Sequence, residues 1–158
     1  MLRRTVSALL ISAAMAAGPV AALAAEAGSL HLMDARVRAS LGVNPNTAGY
    51  LTIHNGRAEA DALVGASCAC AREVQLHLMT TRGGIMKMEK ADALTIPAGG
   101  QLALKPGGAH LMILGVKAPL KAGQTVEISL SFRKAGTVKQ AFRVVSDPAG
   151  DHGAHKGH

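Results

Sequence analysis

Apolar and polar residues alternate along most of the chain, which is the pattern of β-strands that bury one face. The alternation is clearest near the carboxyl end, in segments 126–132 and 138–144, which a turn at Gly136 separates. No apolar stripe at helical spacing continues for three turns. The pattern therefore predicts an all-β protein.

Turn residues divide the remainder of the chain into short segments of the same kind. Asn55-Gly56 is the strongest turn dipeptide, and two Gly/Pro turns follow at 97–100 and 105–108. Short strands separated by turns at intervals of about eight to twelve residues are typical of an antiparallel sandwich or small barrel. The further strands predicted are 29–38, 47–55, 61–67, 73–79, 85–89, 101–104 and 110–116.

The length of 158 residues predicts a single domain, preceded by a segment that is processed. Arg3 and Arg4 stand before an apolar, Ala-rich stretch that ends in Ala22-Leu23-Ala24, a small-x-small cleavage signature. We expect residues 1–24 to be a signal peptide, 25–147 the β-domain and 148–158 a polar tail. Cleavage would give a periplasmic protein without a membrane span, and a retained membrane anchor is the alternative.

The chain is basic but poor in aromatic residues. It contains 17 Lys and Arg against 10 Asp and Glu, with one Tyr, two Phe and no Trp. Single-stranded nucleic acid is bound by stacking on aromatic side chains, so a nucleic-acid partner is not expected. The positive charge is better suited to solubility, or to steering toward an acidic partner at the membrane surface.

Histidine and methionine side chains concentrate in the middle of the chain. His77, ten residues, Met88, twenty-one residues, His110, one residue and Met112 form one spaced pattern. Strand alternation predicts that His77 and Met79 share one face, and that His110 and Met112 share another. The residues predicted to face the core from the same strands are Val74, Leu76, Leu78, Leu111 and Ile113.

This donor set suits copper(I). The ion is soft and prefers thioether and imidazole ligands, whereas zinc usually takes thiolate, imidazole or carboxylate. A thioether also forms no disulfide in an oxidising compartment. No nucleophile or open catalytic geometry is apparent, so the predicted task is reversible holding of an ion rather than catalysis. The residues alone leave open that the methionines only fill the core.

The histidine and methionine spacing and the sequence around it resemble those of the periplasmic copper(I) chaperones of the PCuAC type. His77, Met88, His110 and Met112 match the ligand motif of that family, and Arg36 departs from it, because many relatives have Trp there. Stretches that also look like the family are 48–53, 96–100, 104–108 and 119–123.

The resemblance implies a cupredoxin-like Greek-key β-barrel, in which those four residues carry the metal. It also implies transfer of Cu(I) to the CuA centre of cytochrome c oxidase, on subunit II, alongside a thioredoxin-like Sco-type protein. We expect a monomer. The alternatives are an exported copper-storage or detoxification protein, an electron-transfer cupredoxin, and an exported scaffold without metal.

Several further donors have open roles. Cys68-Ala69-Cys70 is compatible with a structural or incidental role, a redox-labile bond, or a second copper site near His77. Met79 and Met86 are neighbours of the motif. His31-x-Met33 repeats the His-x-Met pairing in the first strand, where an exposed strand start is the simpler interpretation.

The tail carries a histidine at every third position, at His152, His155 and His158. Such a tract can capture copper(II) or nickel. A merely solvated terminus explains it equally well.

Overall fold

The computed structural model describes residues 29–40 and 46–148. The predicted signal peptide and the three tail histidines lie outside the described residues, and so does nearly all of the predicted tail. Throughout the described part all regular secondary structure is β-strand. The strands are β1 (Leu30–Arg38), β2 (Thr47–Asn55), β3 (Asp61–Ser67), β4 (Ala71–Arg82), β5 (Ile85–Lys90), β6 (Leu94–Ile96), β7 (Gln101–Leu104), β8 (His110–Val116), β9 (Thr125–Phe132) and β10 (Gly136–Val145).

Every predicted strand is present, and the two main differences concern β4 and β6, the other bounds agreeing to within two residues. β4 extends beyond the predicted segment 73–79 at both ends, and β6 was not predicted. Three residues are too few to show an alternating pattern, so β6 carries no signal of its own in the sequence. Among the described residues there is no helix long and apolar enough to cross a membrane.

Seven of the strands close into a barrel. Their order is β4-β8-β2-β1-β10-β9-β3, and a pairing between β3 and β4, at Ala66 and Val74, returns the sheet to its start. β5, β6 and β7 extend the sheet from β4, β3 and β2 respectively. All pairs are antiparallel except β1 with β10, which is parallel. The predicted all-β architecture is confirmed, and the parallel pair is its one departure from a purely antiparallel sheet.

The inward faces of the strands fill the barrel with apolar side chains. On β2, Leu51 and Ile53 are almost fully buried, and Leu111 and Ile113 of β8 lie beside them in the core cluster. Phe142 of β10 is the largest fully buried side chain. The side chains between these residues consequently point out of the barrel.

The prediction that Leu78 faces the core is wrong. Val74 and Leu76 are buried, but Leu78 is 38% exposed. β8 begins at His110, which pairs with His77, so β4 beyond that point pairs only with β5. The distal part of the β4–β5 hairpin therefore projects past the barrel and has no core to face. Its two-residue turn consists of Gly83 and Gly84, both at positive φ, which glycine adopts without strain.

A buried carboxylate fixes the β9–β10 turn to the start of β3. The Asp61 side chain accepts backbone N–H groups of Ala62 (2.7 Å), Lys134 (2.9 Å) and Ala135 (3.0 Å), and lies 3.5 Å from the Arg57 guanidinium. Burial by itself raises the pKa of Asp61. The three N–H donors and Arg57 together outweigh burial and leave the pKa below its usual value.

Replacement of Asp61 by alanine should destabilise the fold by about 2–4 kcal/mol, because one buried and two partly buried N–H groups lose their acceptor and Arg57 loses its buried partner. Urea unfolding of both proteins at neutral pH measures this change in the free energy of unfolding. Because folding lowers the pKa of Asp61, its contribution is complete above the unfolded pKa of about 3.9. It should be lost as the pH falls through the lower folded pKa.

Asp92→Ala is the matched control, since Asp92 is exposed. It should change the free energy of unfolding by less than about 0.5 kcal/mol. Equal effects of the two substitutions, or an Asp61 effect that does not decline at all as the pH falls below the unfolded pKa of about 3.9, would contradict the structural role of Asp61.

Candidate metal centre

Two imidazole rings meet on the outside of the barrel. His77 of β4 and His110 of β8 are directly opposite each other in the antiparallel register. Their ring centroids are 5.6 Å apart, with the planes inclined by 59°. His110 is only 6% exposed and His77 is partly buried. The structure thus brings together two predicted site residues that lie far apart in the sequence.

A hydrogen-bonded chain fixes which nitrogen of His77 carries the proton. Gln75 donates its amide N–H to the Glu73 carboxylate over 2.7 Å, which turns the amide oxygen toward the ring. That oxygen lies 2.9 Å from Nε2 of His77 and can only accept, so Nε2 carries the hydrogen. The lone pair is therefore on Nδ1.

Nδ1 of His77 is buried and has no hydrogen-bond partner among the described residues. Buried polar atoms are nearly always paired, and an orphaned lone pair costs free energy unless a ligand meets it. An ion bound to Nδ1 would remove that cost.

His110 is oriented by a backbone carbonyl. Its Nδ1 lies 3.0 Å from the oxygen of Gly108, and because a carbonyl oxygen only accepts, Nδ1 donates its hydrogen. The lone pair of His110 is then on Nε2. A ligating histidine that gives its other N–H to an acceptor is the usual arrangement at metal sites. Both rings have this arrangement.

The two predicted methionine ligands flank the histidine pair from opposite sides. Met112 follows His110 by two residues on β8, opposite Gln75, and is partly buried. Met88 lies on the edge strand β5, opposite Met79, and is 50% exposed. Each is a diagonal neighbour of His77, a relationship in which Cβ atoms are about 7–8 Å apart. Met112 is held within the barrel wall, whereas Met88 is on the projecting hairpin.

Met79 and Met86 share the outer face of that hairpin with Met88. Met79 is the cross-strand partner of Met88, and Met86 is opposite Thr81, near the turn. Met86 is 58% exposed. Met86 lies further along the hairpin from His110 than Met88 does. Met79 is level with Met88 and, on β4, is a diagonal neighbour of His110.

Sequence reasoning missed two residues of this site. Gln75 is absent from the predicted site, although a polar side chain two residues from His77 on the same strand face is a natural hydrogen-bond partner. Lys90 is the cross-strand partner of His77, which only the register reveals. Burial, then the neighbouring His110 and Lys90, lower the pKa of His77. The ring consequently stays neutral, with its lone pair available, to a lower pH than an exposed histidine would.

The donor chemistry favours a soft ion. Within the described part of the chain no three His, Cys, Asp or Glu side chains come together as a possible metal site. The donors that flank His77 and His110 are the thioethers of Met112 and Met88, and thioethers favour copper(I) over zinc, calcium or magnesium.

The cysteines are remote from this centre. Cys68 and Cys70 form a disulfide just before β4, and the described residues include no free cysteine. His77 is six positions further along β4 than Ala71, a distance of about 20 Å. The alternative of a second copper site near His77 built from these thiols is wrong, because the sulfurs are bonded to each other and lie at the other end of the strand.

Residues 30–144 match the family model "Putative lipoprotein LpqE-like". Over 112 residues the chain is 38% identical to "Putative lipoprotein Lxx21020" of Leifsonia xyli subsp. xyli (strain CTCB07), covering 70% of this chain and 67% of that protein. Over 114 residues it is 30% identical to "Uncharacterized protein RP573" of Rickettsia prowazekii (strain Madrid E), covering 70% and 62% respectively.

Solved structures similar to the chain include the copper-bound PCuAC domain from PmoF2. The TM-score is 0.66 at 25% identity, covering 77% of this chain and 96% of that domain. The solution structure of apo-DR1885 from Deinococcus radiodurans is 35% identical with a TM-score of 0.61, covering 93% and 95%. That of CuI-DR1885 has a TM-score of 0.60 at the same identity, covering 80% and 87%. The predicted cupredoxin-like fold and the resemblance to PCuAC domains are confirmed.

The role of Gln75 can be tested without metal. In Gln75→Leu, His77 should lose its preference for the Nε2–H tautomer, because the acceptor of that hydrogen is gone. Glu73→Gln retains an acceptor for the Gln75 amide and should retain the tautomer. Ring ¹⁵N chemical shifts of His77 report the tautomer, and an unchanged spectrum in the leucine variant would show that Gln75 does not orient the ring.

Proposed function

Because the chain belongs to the LpqE-like family and has the fold of the PCuAC copper domains, we propose that it binds copper(I) and hands it on without catalysing a reaction. The observation that carries this proposal is the buried, unpartnered Nδ1 of His77 beside the ring of His110. The copper-bound PCuAC domain from PmoF2 and CuI-DR1885 support the choice of ion.

The proposed ligands are His77 through Nδ1, His110 through Nε2, and the thioethers of Met112 and Met88. The first three come from the barrel wall, where neighbouring strands fix their positions. Gln75 orients the His77 ring and the carbonyl of Gly108 orients the His110 ring, each through the nitrogen that does not bind the ion. Met88 would close the site from the hairpin, a motion that its flexible, unbranched side chain allows.

The same arrangement suits release of the ion. Copper(I) takes up to four ligands, so a site with all four must release one of its own before it accepts a donor from a partner. Met88 is the most exposed of the four proposed ligands and belongs to the element least packed against the barrel. It is the ligand that we propose leaves first during transfer.

The proposed location is the periplasm, reached after removal of residues 1–24. The proposed acceptor is the CuA centre on subunit II of cytochrome c oxidase, with a thioredoxin-like Sco-type protein as a further partner. The resemblance to PCuAC chaperones supports this destination. Lys90 is exposed on the hairpin, opposite His77, and would favour docking of an acidic surface beside the site. The tail histidines are proposed to take up copper(II).

Electron transfer is disfavoured as a second function. A blue-copper centre needs a cysteine thiolate among its ligands. Cys68 and Cys70 are bonded to each other.

Met88→Leu tests the ligand set. Leucine conserves volume and removes the sulfur, so the fold should survive while copper(I) affinity falls about tenfold or more, about 1.4 kcal/mol. Competition with a coloured copper(I) chelator under anaerobic, reducing conditions measures the affinity. Met86→Leu is the matched control, two residues away on the same face, and should keep wild-type affinity. Equal affinities for wild type and Met88→Leu would remove Met88 from the site.

Transfer is tested with a soluble CuA domain as acceptor. Copper(I)-loaded chain mixed with the apo domain and a Sco-type protein should lose its metal as the domain gains the absorption of the CuA centre. If copper stays on the chain while its affinity for the ion is confirmed, storage replaces delivery as the function.

A further inference from the structure

A second histidine pair of the same construction lies elsewhere on the barrel. His31 of β1 and His54 of β2 are directly opposite each other in an antiparallel register. Their ring centroids are 6.3 Å apart and the planes are inclined by 46°. Met33 follows His31 by two residues, opposite Thr52. All of these side chains are on the outer face, because Leu51 and Ile53 between them face the core.

This constellation has the same pattern as the first. In each, a cross-strand imidazole pair includes the histidine of a His-x-Met dyad, His110-x-Met112 in one case and His31-x-Met33 in the other. The methionine is therefore on the strand of one histidine and diagonal to the other. Two imidazoles and one thioether make a three-coordinate set, which copper(I) accepts.

The hydrogen bonds of the second pair also leave ring nitrogens for an ion. Nδ1 of His54 lies 3.3 Å from the carbonyl oxygen of Gly100, to which it can only donate, so the lone pair of His54 is on Nε2. Nε2 of His31 lies 3.2 Å from the hydroxyl of Ser29. A hydroxyl can either accept or donate, and in the tautomer in which it accepts the Nε2 hydrogen, Nδ1 of His31 is available as a ligand.

We propose that His31, His54 and Met33 form a second copper(I) site. This inference extends the proposed function, on which it rests for the identity of the ion. The second site binds more weakly than the first, because His31 is exposed and Met33 is 45% exposed, whereas His110 is 6% exposed. Exposed side chains lose more conformational freedom when an ion fixes them, and water competes for the ion.

The two sites are separate. Met112 is opposite Ala48 on β2, and His54 is six residues further along the same strand, about 20 Å away. They share no ligand. One chain can therefore carry two copper ions, loaded in order of affinity.

Methionine methyl signals follow the two sites independently. The full chain, labelled with ¹³C at the methionine methyl groups, is titrated with copper(I) under anaerobic, reducing conditions. The first equivalent should shift Met88 and Met112, and the second should shift Met33. Residues 149–158 contain no methionine, so ions captured by the tail leave these signals unchanged.

Two variants separate this site from the first. Met33→Leu keeps volume but also removes the Met33 signal, so its second step is followed by competition with a coloured copper(I) chelator. The weaker binding step should be lost, and the shifts of Met88 and Met112 should remain. His54→Asn retains a side-chain N–H near the position of Nδ1 but removes Nε2, and should have the same effect. Met112→Leu should weaken the first step and leave the shift of Met33. Met86→Leu is the control and should alter neither step.

The outcomes distinguish this inference from the function on which it rests. A Met33 signal that stays in place through a tenfold excess of copper(I), with Met88 and Met112 shifted, overturns the second site and leaves the proposed function standing. A shift of Met33 without any shift of Met88 or Met112 supports the second site and removes the first. Shifts of Met33 that persist in His54→Asn would also overturn the proposed ligand set.

Discussion

Burial of the inward side chains fixes the strand register of this barrel, and the register decides which outward side chains lie next to each other. Each fully buried leucine or isoleucine is worth about 1.5–3 kcal/mol relative to exposure. A one-residue slip of β2 would turn Leu51 and Ile53 outward together, so the register is strongly held. His77 therefore stays opposite His110, and His31 opposite His54, without any interaction of their own. The geometry of the donors is set by the core.

Closure of the sheet divides the molecule into a rigid part and a projecting part. β4 is paired on both sides only as far as His77, because β8 begins at His110. Three of the four proposed ligands consequently belong to the wall, and Met88 belongs to the overhanging hairpin. A carrier needs ligands that hold the ion in place and a ligand that lets go. The end of one strand supplies both properties in the same site.

Much of this was predictable from alternation, because the pattern is local. It identified the main strands and placed His77, His110 and Met112 on strand faces away from the core. Alternation does not show which strands are neighbours, so it could not predict that His31 pairs with His54 or that Lys90 pairs with His77. Leu78 was assigned to the core because a pattern does not reveal where the partner strand ends. The tautomer of His77 depends on Gln75 and Glu73 acting together, which is a property of side-chain geometry.

The position of Met88 on the overhang has a consequence for damage. Half-exposed thioethers are open to oxidants, which convert the soft sulfur into a polar sulfoxide. Met88 contributes nothing to the core, so an oxidised chain would remain folded and would escape the proteases that remove unfolded proteins. It would have lost a soft donor, and only a sulfoxide reductase could restore that donor. Oxidation of Met88 would thus inactivate the protein without marking it for degradation.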